Sequence, residues 1–363
     1  MLSLIAFVFV LGVLVLVHEY GHFLFAKLFG VRVEVFSIGF GRTLASFKRG
    51  DTEYRIGAVP LGGYVKMSGE NPEQGRAAET GDFLSKPVYQ RAAIILAGPV
   101  FNYALAIILF SLVFFLGFAA LTATVGSVSD DYPAKAAGVQ PGDRVLAING
   151  QAVSLWDELS SVIHQQTSGQ PVDLLIDRHG ERLTIAVTPR VVDDRNLFGE
   201  PVKVGLIGIT PGQDITRVRY GPGESMRRGV AKVVEITGVT LKAFGRMFTG
   251  RMSLKESLHG PIGIFKYTGE AARLGFTALL QMMALLSVSL AIINLFPIPV
   301  LDGGHLLFLA VEKARGRPLS VRSQEIATRI GFSLLILVMV FTMYNDIIRF
   351  KLVEQAMQWW QRK

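Results

Sequence analysis

The residues best suited to chemistry are His18-Glu19-Tyr20-Gly21-His22. On a helix, side chains four apart share a face, so both imidazoles can grip one Zn2+. Glu19 stands beside the first of them. It can take a proton from an attacking water and return it to a leaving amine. Two imidazoles are not enough, because catalytic zinc normally takes three protein ligands and keeps a fourth position for water. The chain has no cysteine, so the third ligand must be His or a carboxylate. Asp302 is the favoured candidate. It lies in Asn294-Leu-Phe-Pro-Ile-Pro-Val-Leu-Asp-Gly-Gly304, with apolar residues on both sides. The same residue would also serve as N-cap of a helix from Gly303, and the two roles are compatible. His305 is a rival ligand. His164, His179 and His259 have no partners at ligand spacing.

The elements that must position these groups follow from composition. Of 363 residues, 50% are hydrophobic and only 18% are charged; the mean hydropathy is +0.40. A soluble domain carries about a quarter charged residues, so this composition disfavours a disordered chain or an ordinary cytosolic enzyme. It points to a membrane protein with a soluble insert. The net charge of +8 fits loops at lipid headgroups. With no basic run interleaved with aromatics, a nucleic-acid partner is not expected.

Four runs are apolar enough for a span, which needs about 20 residues. The expected organisation is a first transmembrane helix over 1–26, a cytoplasmic-side β segment and loop over 27–91, and a second helix over 92–121. A compact α+β insert follows over 122–190, and then a segment with an amphipathic helix over 191–273. A third transmembrane helix with the Asn294–Gly304 motif takes 274–312, and a loop with a fourth, marginal span takes 313–363. The N-terminal run has no basic n-region and no Ala-x-Ala site, and it passes straight into His18, so it reads as a retained helix. His18 then lies about 25 Å along that helix at 1.5 Å per residue, inside the membrane, where ionisable groups are costly and functional by default.

The β segment rests on the period-two alternation of Val31–Phe36 and Glu53–Ile56, punctuated by glycine. A polar stretch, Ser68–Gly81, reads as a mobile loop. In the insert, Val172–Asp177 and Arg182–Val187 read as a hairpin around His179-Gly180. Glu224–Met247 has apolar residues at helical spacing and reads as a helix on the membrane surface, with a solvated linker helix as the alternative. Pro297 and Pro299 break the third span, so an extended segment with Asn294 should lie next to the metal, enclosed by protein or a cavity. Asn102, in Gly98-Pro-Val-Phe-Asn102, is a second intramembrane amide, open to a substrate role or a packing role. Basic residues in the first and third loops put those loops in the cytoplasm and the insert outside; the basic tail, Arg349, Lys351, Arg362 and Lys363, points the other way, but the first span usually dominates.

Together these motifs resemble the site-2 protease family of intramembrane zinc metalloproteases. The nearest branch is the bacterial regulator-of-sigma-E protease type, in a form with one PDZ domain rather than two. His18–His22, Gly62-Gly-Tyr-Val-Lys-Met67, Arg91 through Asn102, and Asn294–Gly304 carry the resemblance over nearly the whole chain. Ala134–Gly150 is similar to a permuted bacterial PDZ domain. The resemblance implies an α-helical polytopic membrane protein with a membrane-associated β segment and an inserted PDZ domain. It implies His18, His22 and Asp302 as zinc ligands, Glu19 as catalytic base, and Asn294, Pro297 and Pro299 as a substrate-contacting segment. Asn102 falls in a motif implicated in function.

The implied reaction is peptide hydrolysis within or near the transmembrane segment of a single-span membrane protein, such as an anti-sigma factor or a signal-peptide remnant. An upstream site-1 protease acts first, and the PDZ domain filters what enters. The implied location is the bacterial cytoplasmic membrane, with the site toward the cytoplasm and the PDZ domain outside. A membrane binding or transport protein with a structural metal is the alternative reading.

Overall fold

The computed structural model describes residues 1–70, 79–196, 199–253, 255, 258–351 and 354. Residues 71–78 of the expected loop and the basic Arg362 and Lys363 of the tail lie outside the described residues. The chain divides into two compact units, one of Met1–Phe115, Gly221–Met247 and Ser253–Lys363, the other of Leu116–Tyr220 and Phe248–Met252.

Four helices of the first unit are long and apolar enough to cross a bilayer: Leu2–Leu28, Val88–Leu116, Phe276–Asn294 and Val321–Arg349. We name the first two α1 and α2. On α1 the outward residues are as apolar as the inward ones, with Leu2, Leu4, Ile5 and Phe9 all exposed, the pattern of a helix in lipid rather than water. Its buried stripe, Ala6, Val10, Leu14, His18 and His22, repeats every four residues and ends on the histidine pair. On α2 the matching stripe is Ile94, Gly98, Asn102, Ala106 and Phe110. The two helices approach closely at Gly21, where a Cβ would lie 2.5 Å from the Ala97 carbonyl oxygen.

Between α1 and α2 lie β1 (Val33–Arg49) and β2 (Thr52–Met67). Each strand doubles back on the other. Ser37 is opposite both Tyr64 and Arg55, while Phe47 is opposite Tyr54. The order across this sheet is therefore 63–67, 33–38, 53–57, 43–49. The outer edge of 63–67 has no strand partner among the described residues. A small core of Ala26, Val31, Val33, Met67, Phe83, Ile94, Ile95 and Leu309 fixes this sheet to the helices.

The second unit begins earlier and ends later than the sequence suggested. α2 stops at Leu116, and Gly117 turns at φ +94°. Phe118–Leu121, expected to be the last turn of the second span, is instead a strand, β3. The unit continues through β4 (Val125–Val128), α3 (Pro133–Ala136), β5 (Arg144–Ile148), β6 (Gln151–Ala152) and α4 (Trp156–His164). It ends with β7 (Val172–Arg178), β8 (Glu181–Val187), β9 (Arg190–Arg195), β10 (Pro201–Leu206), β11 (Ile209–Pro211) and β12 (Ile215–Val218). β12 returns to pair with β3 and β11 with β4, so the folded insert runs to Tyr220, past the boundary expected at 190. The β7–β8 hairpin forms with Val172 opposite Val187. Its apolar core joins Val125, Val145, Ile148, Leu159, Leu174, Ile176 and Ile207.

The remaining helices belong to the first unit. α5 (Pro222–Phe248) is the expected amphipathic helix. Its buried Gly229 packs on α2, where an added Cβ would lie 2.2 Å from Ser111 Oγ. α6 (Pro261–Leu274) and α7 (Phe276–Asn294) meet at Gly275, whose φ of +118° allows the sharp turn. α8 (Asp302–Arg315) follows the proline segment, and α9 (Val321–Arg349) closes the chain. α6 has no cap from its own N-cap residue, Gly260. The buried Asp346 of α9 replaces it, accepting from the Gly263 amide at 2.8 Å. An oxygen on the third amide of a helix is what an N-cap side chain supplies, and here it explains a carboxylate buried in the last turns of an apolar span.

Candidate metal centre

α1 carries His18 and His22 one turn apart, and α8 carries Asp302 as its first residue. The sequence between Asn294 and Asp302 explains how the carboxylate arrives. α7 ends at Asn294, two prolines prevent its continuation, and Val300 takes φ +116°. Gly303 and Gly304 let the proline segment fold back onto α8: a Cβ at either would lie 2.3–2.4 Å from the carbonyl oxygens of Leu295, Phe296 or Ile298. Only glycine permits this approach. The new helix therefore starts directly beneath the histidines.

His18 Nε2 lies 3.2 Å from Asp302 Oδ2 and 3.2 Å from His22 Nε2, and His22 Nε2 lies 3.6 Å from Asp302 Oδ1. Three ligands at tetrahedral positions around zinc, with bonds of about 2.0–2.2 Å, stand about 3.3–3.5 Å apart. The triangle therefore has the size of a zinc cage with one corner open. Asp302 Oδ2 is buried and has no hydrogen-bond partner despite its closeness to His18. The three atoms converge on a common point and one carboxylate oxygen is left for a further partner, which fits a cation. Among the described residues this is the one group of three or more potential ligands that could hold a metal.

α2 forms the back wall. The His22 Nδ1 proton is donated to the Ile94 carbonyl at 2.9 Å, which leaves the Nε2 lone pair free to face a metal. The Asn102 carboxamide lies 3.1 Å from His18 Nδ1. Between these contacts sits Gly98, where a Cβ would come within 2.3 Å of His22 Nε2 and 2.8 Å of His18 Cε1. Pro99 follows it. Proline removes the amide that would close onto Ile95; the Ile94 carbonyl, with two lone pairs, accepts from His22 Nδ1 whether or not it keeps its helix bond.

The open side faces a cavity of about 1330 Å³, larger than the usual 300–1,000 Å³ of small-molecule pockets. Glu19, His18, His22, Asp302, Asn294 and the edge residues Tyr64, Val65 and Met67 all line it. Gly63 packs beside Glu19, with 3.5 Å from a built Cβ to Glu19 Cγ. Asn294 Nδ2 is 3.5 Å from His18 Nε2, so its amide reaches the centre. Pro297 and Pro299 do not line the cavity; Pro299 is instead covered by Gly331 of α9, where a Cβ would clash with its carbonyl. Asn102, a candidate substrate contact, is fully buried and lines no part of the cavity. His305, the rival ligand, lines the cavity outside the triangle.

Two features were not foreseen. The Ile94 carbonyl is a backbone group with no side-chain signature. Arg91 of α2 makes a bidentate pair with Glu312 of α8, at 3.0 and 2.5 Å, and also donates from Nε to the Lys86 carbonyl. Both residues line the cavity, and the pair ties the helix bearing Asp302 to the helix behind the histidines.

The sequence matches Peptidase family M50 over residues 6–338. It is 37% identical over 361 residues to a protein of Agrobacterium fabrum named "Putative zinc metalloprotease Atu1380", covering 95% of each chain. It is 30% identical over 430 residues to "Zinc metalloprotease RasP" of Oceanobacillus iheyensis, covering 96% of this chain and 99% of that one. Part of the chain, 24%, is similar at 26% identity and a TM-score of 0.19 to 84% of the PDZ domain of an SdrC-like protein from Listeria monocytogenes. The metalloprotease relatives set aside the reading as a transporter with a structural metal. With four apolar helices, a three-ligand cage and near full-length relatives at this identity, the chain belongs to Peptidase family M50, the site-2 protease family of multi-pass membrane zinc metalloproteases.

Proposed function

We propose that this protein hydrolyses a peptide bond within or near the membrane-spanning segment of a single-span membrane protein, with His18, His22 and Asp302 as zinc ligands and Glu19 as the base. The observation that carries the reading is the meeting of that triangle with Glu19 in one large cavity among apolar helices. Zinc, when bound there, supplies Lewis acidity to the scissile carbonyl and the attacking water. A Glu19 carboxylate oxygen takes a proton from that water as its oxygen bonds to the carbonyl carbon. The same proton then passes to the amide nitrogen as the C–N bond breaks. Asn294 reaches the same point with a side-chain amide that can donate to a carbonyl oxygen.

A substrate helix shields its own peptide bonds, so it must be unwound before water can attack. Its freed amides and carbonyls then need partners inside the membrane. The edge of 63–67, which has no strand partner among the described residues, lines the cavity and offers those partners by strand addition once its Val65 and Met67 amides leave the Glu19 and Glu70 side chains. The basic residues of the first loop, from Lys27 to Lys66, and of the third, Lys313, Arg315, Arg317 and Arg322, support an orientation with the centre toward the cytoplasm and the insert outside. An anti-sigma factor or signal-peptide remnant, trimmed first by another protease, is the substrate class the family resemblance favours.

The test pairs two variants against a single-span substrate in zinc-loaded, detergent-solubilised protein. Glu19→Gln should bind one zinc and cleave about 100- to 10,000-fold more slowly than wild type, the usual size of general-base effects. Asp302→Asn should lose zinc. Normal turnover by the first variant, or full zinc content in the second, refutes the corresponding role.

A further inference from the structure

We infer that Asn102 is a positioning residue for the first zinc ligand: its carboxamide oxygen accepts the Nδ1 proton of His18 and holds the Nε2 lone pair toward the metal. The inference rests on the ligand set proposed above and adds a group that neither touches metal nor substrate.

His18 Nε2 is the atom that faces His22 and Asp302, at 3.2 Å from each. A metal there takes the Nε2 lone pair, so in the neutral ring the proton must sit on Nδ1. That N–H is buried, because His18 is only 8% exposed. A buried donor left without an acceptor costs about 1–3 kcal/mol. The group 3.1 Å away is the Asn102 amide, itself 0% exposed. Its Oδ1 has no hydrogen-bond partner while Nδ2 is turned toward the ring. A half-turn of the amide exchanges the two atoms. It brings the unpartnered oxygen to the one buried donor in reach.

The amide is also held in place. Ser287 Oγ of α7, 0% exposed, donates to the Asn102 carbonyl at 2.8 Å, fixing this turn of α2. The second histidine is treated in the same way, since His22 Nδ1 meets the Ile94 carbonyl, which can only accept. Ile94, Gly98 and Asn102 are spaced by four on one face of α2. They face His22, both rings, and His18 in turn. The helix therefore supplies an acceptor for each ligand and a gap between them.

The test measures zinc affinity by competition with a chelator, using the full-length protein in detergent, alongside thermal unfolding of the metal-free form. Asn102→Ala should bind zinc about 10- to 100-fold more weakly than wild type, while its metal-free form unfolds only slightly more easily, because without metal the ring proton can move to Nε2 and pair with Asp302. Asn102→Asp restores an acceptor and should return affinity to within about threefold of wild type. Wild-type affinity in Asn102→Ala overturns the inference, and a raised KM beside it would assign the residue to substrate. Loss of affinity matched by loss of metal-free stability, or an Asp variant as weak as the Ala variant, also overturns it. Wild-type protein that binds no zinc defeats the metal reading itself. One zinc in wild type with an unaltered Ala variant defeats only the role of Asn102.

Discussion

Gly98→Ala adds one methyl group at the tightest point of the centre. That carbon would lie 2.3 Å from His22 Nε2, 2.6 Å from His22 Cε1 and 2.8 Å from His18 Cε1. Non-bonded heavy atoms settle at about 3.5–4.0 Å, so the His22 ring must retreat by about 1 Å or α1 and α2 must part by as much. Neither is cheap. Metal–ligand distances tolerate about 0.2 Å, so the retreat removes one of the three proposed ligands. Parting the helices would open the contact at Gly21 and Ala97 and stretch the 2.9 Å bond from His22 to Ile94. We expect zinc affinity to fall at least about 100-fold, which is about 2.7 kcal/mol or more, and cleavage to fall with it at fixed free zinc. The assay is zinc retention in chelator-buffered solution, with peptide cleavage measured at the same free zinc. Gly12→Ala on α1 is the control: an added methyl there meets nothing within 4 Å, so affinity and turnover should stay at wild-type values. A Gly98→Ala protein with wild-type zinc affinity and turnover would refute the reasoning, since it would mean the two helices separate freely and α2 does not hold the rings.

Arg91→Ala strands Glu312 in a site where the side chains are 7% and 17% exposed. Breaking one side of such a pair costs about 3–5 kcal/mol, read as a lower melting temperature, while Arg91→Leu with Glu312→Leu should recover most of it; an unchanged melting temperature in Arg91→Ala would show that the pair holds nothing together. Because the chain has no cysteine, single cysteines report sidedness: Glu181→Cys in the insert should react with a membrane-impermeant maleimide in intact cells with a permeable outer layer, and Arg317→Cys only after lysis. The opposite pattern would invert the proposed orientation.

The parts legible in the sequence were those written in side chains at short range. His18 and His22 announce themselves by a spacing of four. Asp302 does so because a carboxylate flanked by apolar residues, after two prolines, has few other reasons to lie in a span. The apolar runs marked all four long helices, although the fourth, expected as a marginal span within 313–363, begins at Val321, where its first turns are polar. What the sequence hid depends on distant pairing or on the backbone. Phe118–Leu121 is apolar enough to extend a span, but its partner strand is Ile215–Val218, and nothing local declares that pairing. The end of the insert at Tyr220 was missed for the same reason. Arg91 and Glu312 are 221 residues apart, and each alone reads as an interfacial charge. Asn102 was visible as an intramembrane amide, but its burial against His18 was not.

The role of α2 follows from where the centre lies. In a water-filled site, ordered water can accept a proton from an uncoordinated imidazole nitrogen and be replaced at little cost. On the side where the rings pack against α2, away from the cavity, every buried N–H must find its acceptor in protein. A helix is a poor source of acceptors, since its carbonyls are already used in its own ladder. α2 meets the demand in two ways. The Ile94 carbonyl uses its second lone pair to serve His22; Asn102 brings a side-chain amide to His18. Gly98 lies between them because the rings need the space that any side chain would fill. The Gly98-Pro-Val-Phe-Asn102 segment is thus a counterpart to the histidine motif on the facing helix, and its residues make sense only when the two helices are read together.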